Sequence, residues 1–300
     1  MAIKRTPRPE AVWRLDCQLG EGPVWLADEA ALRFVDIKRG HLHRFDPATG
    51  AGTTIAVGGN PSFIVPIDDG GLLVGSRHGL HRLENEALCA PLVTIPQPAH
   101  NRTNDATVDP SGRLWFGTMD DGESQPSGSI WCLDRGTLHP TAIGAVVTNG
   151  PAASADGRVL YHVDSGNRTI WRCQVGEGPT LGPSEVFVQL AKADGHPDGI
   201  VTDAEDCLWV ALWGGWGVRR YAPDGTLLLH VDLPCARVTK IAFGGVDLRT
   251  AYVTTARSGL DAAALAEQSL AGSLFAFAAP VAGRVPPQVR MGSSSHARYR

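Results

Sequence analysis

Glu21, Asn104, Asp105, Asn149 and Asp198 are the residues of this chain whose types and spacing suit chemistry. They stand in LGEGPVW, NRTNDATVD, VVTNGPAAS and GHPDGIVTD. In each segment a polar side chain precedes a short apolar stretch, and an acidic turn closes the unit. Glu21, Asn149 and Asp198 together offer two carboxylates and an amide oxygen. An all-oxygen set with open positions for water suits one Ca²⁺, Mg²⁺ or Mn²⁺ ion, and takes Zn²⁺ or Fe²⁺ less selectively. Taken singly, each of these residues is as readily a turn residue or a strand-end cap. Their positions in a repeat are what set them apart.

The repeat emerges when short apolar runs are aligned by the turns before them. The runs are LRFVDI (32–37), LLVGS (72–76), LWFGTM (114–119), LYHVDS (160–165), LWVALW (208–213) and AYVTTA (251–256). With Phe34, Leu73, Trp115, Tyr161, Trp209 and Tyr252 equivalent, the spacings are 39, 42, 46, 48 and 43 residues. Acidic and small residues fill the preceding turns, such as Asp109-Pro110-Ser111-Gly112 and Asp156-Gly157. A second alternating run follows each first one, as in HLHRFD (41–46) and GSIWCLD (128–134), and further β-prone segments fill the gaps. The unit is therefore about four strands in about 45 residues. DAAALAEQ (261–268) is the single helical candidate.

Six such units cannot each bury an apolar face alone, whereas a closed ring of blades can. The chain is therefore expected to be all-β, a six-bladed β-propeller forming one domain over 10–280. A strand from EAVWRLD (10–16) would complete the last blade and remove the open edges. A loose tail is expected over 281–300. Within such a ring the polar residues, about 8 to 13 positions ahead of each marker, would point toward one axis.

Composition narrows the partners. There are 27 Lys plus Arg against 31 Asp plus Glu, a net charge of −4, and no basic block, which argues against nucleic acid. No apolar run approaches eighteen residues, so no membrane helix is expected. The charged start MAIKRTPRPE lacks the apolar stretch of a signal peptide, and the six cysteines form no close pair. A cytoplasmic protein with reduced thiols is expected, and a closed ring needs no partner, so a monomer. There is no G-x-S-x-G, and stretches such as GGWG lack the βαβ surroundings of a dinucleotide site.

The segments LGEGPVW, NRTNDATVDPSGRLWFGTMDD, TNGPAASADGR, PDGIVTDAEDCLWVALWGGWGVRRY and KIAFGGVDLRTAYVTTAR resemble, in this order, those of the sugar lactonase family. That family includes regucalcin (senescence marker protein), gluconolactonase-like and bacterial xylonolactonase-like enzymes. The resemblance covers residues 12–278 and implies a six-bladed propeller. It implies that Glu21, Asn149 and Asp198 hold a divalent metal ion, with Asp198 also the general base. It further implies that Arg102 and Asn104 hydrogen-bond the substrate's oxygens. Mammalian members use an acid from a loop over the mouth; here DDGESQPSGS (120–129) is short, and Glu123 is the candidate without a firm counterpart.

The expected reaction is hydrolysis of an aldonolactone to the open sugar acid. A metal ion, whether Fe²⁺, Zn²⁺, Mn²⁺ or Ca²⁺, would polarise the lactone carbonyl. The stretches LWFGTMDDGE and ALWGGWG look closer to bacterial pentonolactone enzymes, so xylono- or arabinono-lactone leads, ahead of gluconolactone and galactonolactone. Arg102 offers a fork of donors, or else a surface ion pair. Trp213 and Trp216 offer a sugar-stacking face, or else packing between blades. His196 either orients Asp198 or touches a hydroxyl, or else has no role, and His78 is a weaker candidate of the same kind. Two other readings stay open: a binding or calcium-handling propeller without catalysis, and a metal-dependent esterase or phosphotriesterase on non-sugar substrates.

Overall fold

Period-two alternation between Asp- and Gly-bearing turns divides the chain into strands of four to nine residues. The computed structural model describes residues 8–292. The beginning of the charged start and the end of the tail, residues 1–7 and 293–300, lie outside the described residues. Six four-stranded antiparallel sheets form, each built from consecutive strands except the last. From blade 1 to blade 6 the innermost strands are Gly20–Leu26, Phe63–Pro66, Asn101–Val108, Thr148–Ala153, His196–Thr202 and Val238–Gly244. Each touches the innermost strand of its neighbours, and that of blade 6 touches that of blade 1. The protein is a six-bladed β-propeller, as its repeat implies.

The ring is fastened by its ends. Strand Glu10–Trp13 pairs antiparallel with Leu274–Ala278 and becomes the outermost strand of blade 6. It is shorter than the 10–16 run suggests, and it carries a bulge between Ala11 and Trp13. Strands far apart in sequence thus complete one sheet and tie the last blade to the segment that leads into the first.

The marker aromatics pack between blades. Trp115 and Trp209 are fully buried, and each indole Nε1 donates to the carboxylate of the acidic turn before it, Asp109 (2.8 Å) and Asp203 (2.9 Å). Burial of such a side chain contributes roughly 1.5–3 kcal/mol, and the bond spares the ring nitrogen an unpaired burial. The helical candidate forms as Ala262–Glu267, capped by Asp261, whose side chain accepts from the Ala264 amide at 2.8 Å.

The C-terminal segment differs from expectation. Residues 281–292 do not trail loosely; they strap the face of the ring that bears the acidic turns. Gly283 N donates to Leu248 O, Val289 N to Pro66 O and Arg290 N to Gly112 O, while Ala204 N and Asp68 N donate to Ala282 O and Val289 O. Arg284 reaches Asp206 at 2.8 Å and the Ala153 carbonyl at 2.8 Å. Val289 is fully buried. The strap pairs through single backbone bonds to several blades, so its Pro-rich sequence shows no strand alternation.

Candidate metal centre and active site at the mouth of the ring

Four innermost strands share one irregularity. Between Glu21 and Val24, Thr103 and Ala106, Asn149 and Ala152, and Pro197 and Ile200, two residues stand opposite one on the neighbouring strand. Each is a bulge of one extra residue, and such bulges bend a strand and re-aim a side chain. Glu21, Asn104, Asn149 and Asp198 sit at or inside these bulges. The innermost strand of blade 2 pairs without a shift and supplies no such residue. Glycine serves the local geometry: Gly22 has φ +54°, and a Cβ on Gly199 would lie 2.6 Å from Lys240 Cβ.

The four side chains converge on a cavity of about 530 Å³ at the start of the innermost strands. The Glu21 and Asp198 carboxyl groups are buried there. Burial, then the charge of Asp105, pushes the Glu21 carboxyl up to about 8 against the pull of Lys240. Burial, then the nearby Glu21 charge, raises Asp198 well above the usual carboxylate range. Glu21 Oε2 accepts from the Gly22 amide at 2.8 Å, whereas Asp198 has no side-chain hydrogen bond among the described residues. Among the described residues no three His, Cys, Asp or Glu side chains form a metal-binding group. The candidate set is two carboxylates and an amide.

A hydrogen-bonded chain across three blades sets that amide. Arg102 Nη1 donates to Asn104 Oδ1 (2.6 Å), and Asn104 Nδ2 donates to Asn149 Oδ1 (2.8 Å) and the Thr148 carbonyl (2.7 Å). Asn149 Nδ2 donates to Ser165 Oγ (3.0 Å), which donates to the Pro197 carbonyl (2.7 Å). With its nitrogen held by Ser165 and its oxygen accepting one bond from Asn104, Asn149 keeps the second lone pair of Oδ1 for a ligand in the cavity it lines. Arg102 is buried, so it is no surface ion pair; its Nε donates to Asp121 at 2.8 Å. Its Nη2 has no hydrogen bond among the described residues.

The remaining predicted residues divide. Glu123 lines the cavity, on a loop shaped by Asp120, whose carboxylate accepts from the Gly122, Ser124 and Gln125 amides. Those bonds hold the Asp120 carboxyl below its ordinary range. Trp213 lines the cavity, while Trp216 is exposed and does not. His196 lines it too, but makes no hydrogen bond to Asp198. Its Nδ1 lies 2.7 Å from the Ser165 carbonyl and its Nε2 3.3 Å from Arg168 Nη2, so both ring nitrogens are engaged. The expectation that it orients Asp198 through a hydrogen bond is not met. His78 is exposed and lies off the cavity.

Sequence reasoning passed over Ser165, Lys240 and Arg237. Lys240 ion-pairs with Asp105 and donates to the Ala106 carbonyl at 3.1 Å, just below the carboxylate set. Its signal was a charged residue within the otherwise uncharged run VTKIAFG of an innermost strand.

A propeller whose bulged inner strands gather buried oxygen donors at one end of the axis defines a class of protein, and comparison with known proteins makes it particular. Residues 19–257 match the family described as SMP-30/Gluconolactonase/LRE-like region, and the chain belongs to that family. It is 35% identical over 282 residues to a 6-deoxy-6-sulfogluconolactonase of Pseudomonas putida, spanning 93% of this chain and 97% of that protein. A pentonolactonase of Haloferax volcanii is 35% identical over 280 residues, spanning 89% and 93%. Among solved structures, a calcium-binding protein, regucalcin, from Agrobacterium tumefaciens matches with a TM-score of 0.89 at 30% identity. That match covers 95% of this chain and 97% of that one.

Proposed function

We propose that this protein hydrolyses an aldonolactone to the open sugar acid, with one divalent metal ion held by Glu21, Asn149 and Asp198. The observation that carries this is the convergence of two buried carboxylates and an oriented amide oxygen on one cavity. Among the described residues Asp198 makes no ion pair, and the charge of Lys240 does not outweigh its burial, so a bound cation would supply the missing charge. The oxygen-only set fits a hard ion such as Ca²⁺, Mg²⁺ or Mn²⁺, with Fe²⁺ and Zn²⁺ as further candidates. Two lactonases among the relatives support the same reading.

When bound, the ion supplies polarisation of the lactone carbonyl and stabilises negative charge on its oxygen. Water adds to that carbonyl carbon, and Asp198 takes the proton the water loses. The ring C–O bond then breaks, and Asp198 returns the proton to the departing ring oxygen, which leaves as a hydroxyl. Arg102 turns its unengaged Nη2 to the substrate's oxygens. Asn104 holds Asn149 and Arg102 in place and keeps one lone pair of Oδ1 for a hydroxyl. Trp213 and Glu123 border the sugar, and His196 forms wall. A pentonolactone such as xylono- or arabinono-lactone is the leading substrate.

The test is acid release from a panel of aldonolactones by chelator-treated protein, with and without each metal, after subtraction of the uncatalysed rate. Metal-dependent release should fall roughly 10²–10⁴-fold in Asp198→Asn. Calcium binding without turnover of any lactone would overturn the reading in favour of a binding propeller.

A further inference from the structure

Arg237 precedes the innermost strand of blade 6 and lines the same cavity, yet the reaction above leaves it without work. Its guanidinium stacks on Trp213, with Cζ 4.7 Å from the ring centroid. Among the described residues its side chain makes no hydrogen bond and no ion pair, and its Nε is buried without a partner. Two glycine turns leave the head uncovered. A Cβ on Gly214 would stand 3.6 Å from Nη1, and one on Gly259 would stand 3.5 Å from Nη2. A buried donor left unpaired is costly, so a guanidinium held this way is prepared for an acceptor from outside.

The charge around the mouth points the same way. Asp121 alone serves Lys38 at 2.6 Å, Arg77 at 2.5 Å and Arg102 at 2.8 Å. Glu123 is the acid whose charge acts on Arg237, and it is not bonded to it. With Glu21 and Asp198 offset by a divalent ion, Asp121 and Glu123 are outnumbered by Lys38, Arg77, Arg102 and Arg237. The mouth therefore carries surplus positive charge, which attracts and orients an anion.

We propose that Arg237 binds an anionic group of the substrate, a carboxylate, phosphate or sulfonate on a carbon other than the lactone carbonyl. This rests on the lactonase reading and names a substrate class for that site. The planar fork suits the paired oxygens that all three groups present. Stacking on Trp213 fixes its plane before binding, so little side-chain freedom is lost on contact.

The experiment compares neutral gluconolactone with glucarolactone, 6-phosphogluconolactone and 6-deoxy-6-sulfogluconolactone, which separate the three anions. At least one anionic lactone should have the higher kcat/KM, and Arg237→Met should remove that advantage by about 10–100-fold while leaving neutral lactones within a few-fold. Arg237→Lys, which keeps charge without the fork, should restore part of it. Equal losses on neutral and anionic lactones, or a uniform preference for neutral ones, would overturn the proposal. Calorimetric binding of 6-phosphogluconate against gluconate is read in parallel. If no lactone turns over, the lactonase reading fails by itself. The affinity ratio of the two acids then decides for Arg237: a preference for 6-phosphogluconate lost in Arg237→Met sustains it, and no preference ends it.

Discussion

Glu21 and Asp198 hold protons more tightly in the folded chain than an exposed carboxyl would. The sign of the consequence follows. A carboxyl raised by folding contributes most below its unfolded pKa, near 4, and that contribution is lost as pH rises toward about 8. Metal-free protein should therefore have a lower melting temperature at pH 8 than at pH 5. Added Ca²⁺ or Mn²⁺ should raise Tm more at pH 8 than at pH 5, because the ion then competes with fewer protons for the two carboxyls. Equal increments at both pH values would count against these two carboxylates as the ligands. Ser165 gives a second prediction at this scale. Its hydroxyl accepts from Asn149 Nδ2 and donates to the Pro197 carbonyl, so it acts through Asn149. Ser165→Ala should weaken metal affinity roughly 10–100-fold, read by metal titration, while kcat at saturating metal changes little.

Among elements, the informative device is the bulge repeated in four innermost strands. Gly and Pro in GEGP, NGP and PDG were its visible trace, because both interrupt a regular ladder. That trace, with the turn spacing, made the ring, the blade count and the convergence of Glu21, Asn104, Asn149 and Asp198 legible. Gly199→Ala tests the geometry, since the new Cβ would meet Lys240 at 2.6 Å. Overpacking of this kind should cost about 1–3 kcal/mol, measured by denaturant unfolding, and should depress activity because Asp198 is adjacent. What spacing could not convey were contacts between blades. Lys240 and Asp105 stand 135 positions apart. Arg237 acquires meaning only from Trp213, a residue of the preceding blade. Both of His196's ring nitrogens are claimed by blade 4, which no local pattern announces.

For the molecule as a whole, the two chain ends do different work: one completes a blade, the other straps the floor. Deleting 281–300 removes the backbone bonds to Leu248, Ala204, Pro66, Asp68 and Gly112. The truncated protein should lose roughly 2–5 kcal/mol of stability, seen as a lower unfolding midpoint, and keep its kcat per folded molecule. Over 281–292 the loose-tail expectation failed because a strap held by scattered backbone bonds needs no periodic side chains. A second cavity of about 300 Å³ lies beneath the first, roofed in part by Lys240 and bordered by Arg284, Val285, Pro286 and Pro287 of the strap. Lys240 lines this second cavity and not the first, and it pairs with Asp105, the chain neighbour of Asn104 at the mouth. In the proposed reaction lactone and product acid occupy the same place at the mouth, so the acid must leave before the next lactone binds. Inhibition by the product acid should accordingly be competitive, raising KM and leaving kcat unchanged.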